Sequence, residues 1–170
     1  MPAFSLCLRV VVIVAMNALK LVFSRRPEAL LLWMSAAMPL TFALWSALLN
    51  NFTYEQAAFT GVEIGLLHTV REIPGFMAFS VAFLLIFIKE QKLAYLTLIV
   101  LALGSAVTGH YPFLTGLLAT TFISSIGFHY FVPVTSSLSL QWLSKEQAPI
   151  ILGWTAAVGA GASLAAYATV

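Results

Sequence analysis

Apolar residues run along this chain in long blocks, and polar ones gather in short breaks between them. Five blocks, at about 27–49, 61–88, 93–109, 113–142 and 145–170, are long enough to cross roughly 30 Å of hydrocarbon as helices. None alternates residue by residue as a barrel strand would. Backbone groups in lipid must be satisfied within their own element, so each block is read as a helix. Start signals agree with this reading. Thr60 with Glu63, and Ser144 with Gln147, have the spacing of capping boxes. Ser24 is positioned to cap the first helix, with Pro27 in its first turn. The expected fold class is therefore all-α, a polytopic transmembrane helix bundle of about five spans.

The stretch 1–24 differs from the five blocks. Ser5, Arg9, Asn17, Lys20 and Ser24 fall within about one third of a helical wheel, opposite Val, Leu, Ala and Phe. A basic polar stripe on an apolar helix suits the membrane interface. As a sixth span this helix would bury Arg9 or Lys20 at depth unless they snorkelled or met a partner. We read 1–24 as an N-terminal amphipathic interfacial helix and 25–170 as the bundle. A cleaved signal peptide fits poorly, because the apolar run 10–16 is short and is followed by Asn17 and Lys20 without a clear cleavage site.

The charges give the chain a direction. Arg25 and Arg26 precede the first block, Lys89 and Lys92 lie in the second break, and Lys145 lies in the fourth. The first break carries Glu55 and the third is uncharged, neither with Lys or Arg. Alternation of this kind is the positive-inside pattern, which puts the start of the first helix in the cytoplasm. Composition agrees with a membrane class. Hydrophobic residues make up 61% and charged residues 8% of the 170, against roughly 25% charged in an ordinary globular domain. A soluble domain of this size has too little interior to hide so much apolar surface. The net charge of +2 comes from residues flanking the blocks and implies no nucleic-acid partner. The lone Cys7 excludes an internal disulfide and suggests no metal site. No cofactor is expected. Asn51, Phe52 and Thr53 match a glycosylation sequon, but lie against a helix end, and the match is taken as chance.

The candidate functional residues are the polar ones at depth. In the second block, Arg71 lies about 15 Å along the axis from Gly61, where an ionisable group is costly and functional by default. His68 and Glu72 are four residues apart and expected to pair on one face. Arg71 points about 100° away from Glu72 and is expected to seek a partner on another helix. Pro74 and Gly75 follow, removing a backbone donor and allowing a bend. The structural alternative is a buried ion pair that fixes helix register. In the fourth block, Thr121, Ser125, His129 and Ser136 project within roughly 80° of one another. Such a stripe should face protein or water, and His129 is placed to couple a proton. The plainer alternative is that the hydroxyls bond their own backbone and His129 bonds a neighbouring helix. Asn50 and Asn51 follow the first block, where the plainer reading is that they cap its end at the interface, and Asn50 is also a candidate for the same polar groove. The third block, nearly all aliphatic, reads as the most lipid-facing. The fifth, from Gly153 through Ser163, is rich in small residues that let another helix approach.

Nothing marks an enzyme: there is no nucleophile elbow, phosphate loop, paired cysteine set or carboxylate pair. From about Pro27 to Val170 the chain resembles the N-terminal part of a major facilitator superfamily transporter. The resemblance rests on the order and alternation of the blocks and on three phrases. These are Arg71-Glu72-Ile73-Pro74-Gly75-Phe76, Gly127-Phe128-His129-Tyr130-Phe131 and Ser137-Leu138-Ser139-Leu140-Gln141-Trp142-Leu143. It implies a bacterial inner-membrane location, a small-molecule solute, and first and fourth spans lining a central cavity with the third facing lipid. Two family features are missing. The cytoplasmic loop after the second span reads Lys89-Glu90-Gln91-Lys92, without the family's Asp or Gly, and Val158-Gly159-Ala160-Gly161 lacks the Gly-Pro step of proton antiporters. The resemblance therefore implies no drug–proton antiport. Family members have about twelve spans with the site between two halves, and five spans cannot enclose such a site alone. The chain is expected either to belong to a longer transporter or to associate with other membrane chains and with lipid. The alternative function is a non-transporting accessory or scaffold subunit of a larger membrane complex.

Overall fold

The computed structural model of the protein describes residues 26–55 and 58–170. The interfacial helix expected over 1–24, and the cap expected at Ser24, lie outside the described residues. The regular structure among the described residues is all helical, with no strand: α1 (Pro27–Glu55), α2 (Gly61–Phe76), α3 (Val81–Phe87), α4 (Glu90–Thr108), α5 (Leu114–Trp142) and α6 (Ala148–Thr169). α2 and α3 are joined by a short 3-10 turn, Ala78–Ser80, into one 27-residue apolar stretch. Five helices are thus long and apolar enough to cross a membrane.

The capping box at the start of α2 forms, whereas Ser144 and Gln147 close a turn ahead of α6, whose N-cap is Gln147 without a side-chain cap bond. Thr60 Oγ1 accepts from the Glu63 amide while the Glu63 carboxylate accepts from the Thr60 amide at 2.8 Å. Ser144 and Gln147 exchange bonds of 3.3 and 3.4 Å. Ser144 also holds the Glu146 carboxyl below its ordinary range by a side-chain hydrogen bond. Three boundaries differ from expectation. α1 runs on through Asn50 and Asn51 to Glu55, so the two asparagines do not cap its end. α4 starts earlier, at Glu90, and α6 starts at Ala148, after the Ser144 turn. The second block breaks where Pro74 withdraws an N–H from the ladder. Tyr130 of α5 closes this break, its hydroxyl 2.6 Å from Ser80 Oγ and 3.4 Å from the Met77 carbonyl.

α4 packs most extensively on α5, α6 on α1, and α2 on α5. The α4–α5 seam is set by glycines. A Cβ on Gly127 would come within 2.5 Å of the Leu101 amide nitrogen, and one on Gly104 within 2.7 Å of the Ser124 amide nitrogen. Backbones can meet this closely only where a side chain is missing. Consequently α4 is not the outermost helix. One third of its apolar window is buried, against 11% for the α2–α3 stretch and 17% for α6.

The core forms two layers. One joins Leu31, Met34, Leu93, Phe131, Val134 and Leu138. The other joins Trp45, Leu49, Phe59, Leu67 and Leu117. On α1, Phe42 lies between the layers. On α5, which runs the opposite way, Ser125 and His129 lie between them.

Candidate functional site

At this middle level a polar cluster forms between α2 and α5, with an aromatic wall from α1. The Arg71 guanidinium donates from Nε and Nη2 to one oxygen of Glu72, at 3.0 and 2.8 Å. The other Glu72 oxygen lies 3.8 Å from His129 Nε2. The Ser125 hydroxyl donates to the Arg71 carbonyl in a short hydrogen bond. This carbonyl lies three residues before Pro74, in the last turns of α2, and the bond ties α5 to that stretch. Arg71 also lies over the Phe42 ring, 6.0 Å from its centroid. Phe42 in turn stacks on Phe128 at 4.5 Å. Charge, ring and backbone thus tie three helices together at one height.

Gly75 fits His129 into this arrangement. A Cβ there would come 2.9 Å from the imidazole Cε1 and 3.1 Å from Nδ1. The bend residues therefore also clear the seat of the histidine on α2. A cavity of about 190 Å³ opens among Phe42, Trp45, Arg71, Glu72, Ser125 and His129. The cluster is not sealed: the Glu72 side chain is 51% exposed, Arg71 26% and His129 21%.

Four of the eight expected site residues meet here: Arg71, Glu72, Ser125 and His129. Two expected pairings are corrected. Glu72 pairs with Arg71 and approaches His129, not His68, which is half-buried away from these bonds. Arg71 bonds its sequence neighbour, because its long side chain folds back across the 100° that separates adjacent Cβ atoms. The other four residues do not join a common groove. Thr121 is fully buried, and its hydroxyl has no partner among the described residues. Ser136 donates to the Val132 carbonyl at 2.9 Å and borders a different groove, near Gly159 of α6. Asn50 is exposed on α1.

Sequence reading missed Phe42, Phe128 and the steric role of Gly75. The phrase Gly127-Phe128-His129-Tyr130-Phe131 carried part of that signal, since four aromatic rings beside a glycine mark a helix stretch that is packed from several sides. Among the described residues, no group of three or more His, Cys, Asp or Glu gathers as a metal site. Comparison with protein-family models, with curated proteins and with solved structures finds no match.

Proposed function

We propose that the chain is an integral membrane protein, with the start of α1 in the cytoplasm, and that it forms one wall of a solute path in a transporter-like assembly. The architecture it resembles is an incomplete N-terminal half of a major facilitator transporter. The observation that carries this reading is the half-exposed Glu72, paired with Arg71 and near His129, midway between the two core layers. Charges at that height facing lipid cost several kcal/mol. A water-filled cleft or a further protein wall removes the cost, and a cleft bordered by Arg, Glu and His is what a polar solute requires. The polar groove is supported only in part, since Thr121, Ser136 and Asn50 lie outside the cluster.

The same scatter favours a second reading, an accessory subunit whose charged face docks against another membrane chain. One experiment addresses both. In a Cys7→Ser background, Glu72→Cys in intact membranes should react with a membrane-impermeant thiol reagent, whereas Phe83→Cys, on a well-exposed apolar face, should not. Unreactive position 72 that becomes reactive after solubilisation and removal of a copurifying chain supports the subunit reading. A position 72 that stays unreactive under both conditions defeats the solute path.

A further inference from the structure

A larger cavity lies between the C-terminal parts of α1 and α4, sharing the Trp45 wall with the cavity of the polar cluster. Its volume is about 510 Å³, within the roughly 300–1,000 Å³ of small-molecule sites. Trp45, Leu49 and Phe52 give it apolar walls, and Asn51, Glu55 and Ser105 supply its polar groups. Thr108 also borders it but is satisfied, accepting from the Trp45 indole at 3.3 Å and donating to the Gly104 carbonyl at 2.8 Å. Ser105 is different. Its hydroxyl has no hydrogen-bond partner among the described residues. Thr69, Ser124 and Ser136 all bond the carbonyl four residues back, as hydroxyls in helix interiors usually do.

The electrostatics of this cavity point one way. α1 ends at Glu55 and α4 at Thr108, and both ends border the cavity. The C-terminal end of a helix carries partial negative charge on its unsatisfied carbonyls and favours a cation. Neither helix has a basic residue in its last turn. Glu55 instead adds a full negative charge where the helix end already repels one. The chain has no Lys or Arg between Arg26 and Arg71, nor between Lys92 and Lys145. The mouth of the cavity is negative and the walls are apolar and aromatic.

We propose that this cavity binds an organic ammonium ion with an aromatic or alkyl body. The ammonium sits at Glu55 and the two helix ends, and the body lies against Trp45 and Phe52. A ring face near a cation adds to the attraction. Asn51 hydrogen-bonds a polar substituent. An anion meets like charge at the mouth, an inorganic cation leaves the apolar walls unfilled, and a plain hydrocarbon leaves Glu55 unanswered. The site does not depend on the Arg71–Glu72–His129 cluster.

The test is calorimetric titration of the full chain in detergent with 1-naphthylmethylammonium, with the neutral 1-naphthalenemethanol and with the anion 1-naphthoate. The ammonium should bind about tenfold or more tighter than the alcohol, and the carboxylate weakest of the three. Glu55→Gln should bring the ammonium down to the affinity of the alcohol and leave the alcohol unchanged. Filling the cavity with Ala106→Trp, or with Leu48→Trp should the first variant fold poorly, should abolish binding of both. Equal affinity for ammonium and alcohol overturns the proposal. So does an unaltered ammonium affinity in Glu55→Gln, or binding that survives a filled cavity.

Discussion

At the scale of single residues, burial and partner are separate questions, and Thr121 and Glu72 answer them in opposite ways. Thr121 is fully buried with no partner for its hydroxyl among the described residues, which leaves it a desolvation cost that no hydrogen bond there offsets. Thr121→Val keeps the shape and removes the orphan oxygen. It should be neutral or stabilise the protein by about 1 kcal/mol, read as the unfolding midpoint in detergent. A loss of stability would mean that the hydroxyl has a partner after all. Gly75 makes the converse case, since nothing is missing there except a methyl group. Gly75→Ala drives a Cβ to 2.9 Å from the His129 ring and should cost about 1–3 kcal/mol by overpacking. Adding His129→Ala should return much of that loss, and a double-mutant cycle without coupling would sink the idea. These details were only partly legible beforehand. Helical spacing drew attention to Arg71 and Glu72 in the second block and to Ser125 and His129 in the fourth, and these four lie together in the fold. It paired Glu72 with His68 rather than with Arg71 and His129, because wheel angles locate Cβ atoms while long side chains reach around them. Phe42 was hidden for another reason: a single ring in an apolar block has no pattern until the helix opposite it is known.

At the scale of elements, glycine placement matters more than glycine density. α6 has the conspicuous run of small residues, and one of them does seat it on α1: a Cβ on Gly159 would be 3.0 Å from the Ser35 carbonyl oxygen. Yet Cβ atoms on Gly153 and Gly161 would meet nothing within 4 Å. The tightest seam is α4 on α5, where Gly104 and Gly127 sit singly in otherwise bulky helices. Gly127→Ala should therefore destabilise the protein by roughly 1–3 kcal/mol. Gly153→Ala should be neutral or gain up to about 1 kcal/mol from helix propensity. Thermal unfolding of the two variants side by side reads this contrast, and equal effects would contradict the packing. Element identity was legible because every block exceeds the length that a strand would use. Boundaries were less so. Asn50 and Asn51 look like a helix end, but Thr53 Oγ1 bonds the Asn50 carbonyl and the helix continues to Glu55. The aliphatic surface of α4 suggested an outward face, but an aliphatic residue packs as well against α5 as against lipid, so composition alone does not rank helices by burial.

At the scale of the whole molecule, charge separates the two ends of the bundle. Arg26, Gln91 and Trp142 border one cavity, and Gln141 donates to Glu90 at 2.7 Å. The start of α1, the start of α4 and the end of α5 thus share one end, the end that carries Arg26, Lys89, Lys92 and Lys145. Among the described residues, the opposite end, at Glu55, Glu63 and His110, has no Lys or Arg. In a membrane this polarity fixes orientation, because cytoplasmic breaks retain Lys and Arg. The orientation then has a consequence for both candidate sites. In that proposed orientation the cavity at Glu55 would face the outside, and the Arg71 cluster would lie between the two faces. In a Cys7→Ser background, Glu55→Cys should be labelled by an impermeant reagent added to intact cells. Gln91→Cys should be labelled only after the membrane is opened. The reverse pattern would turn the cavity toward the cytoplasm. Equal labelling of both positions from outside would mean that these five helices do not cross the membrane as an alternating bundle.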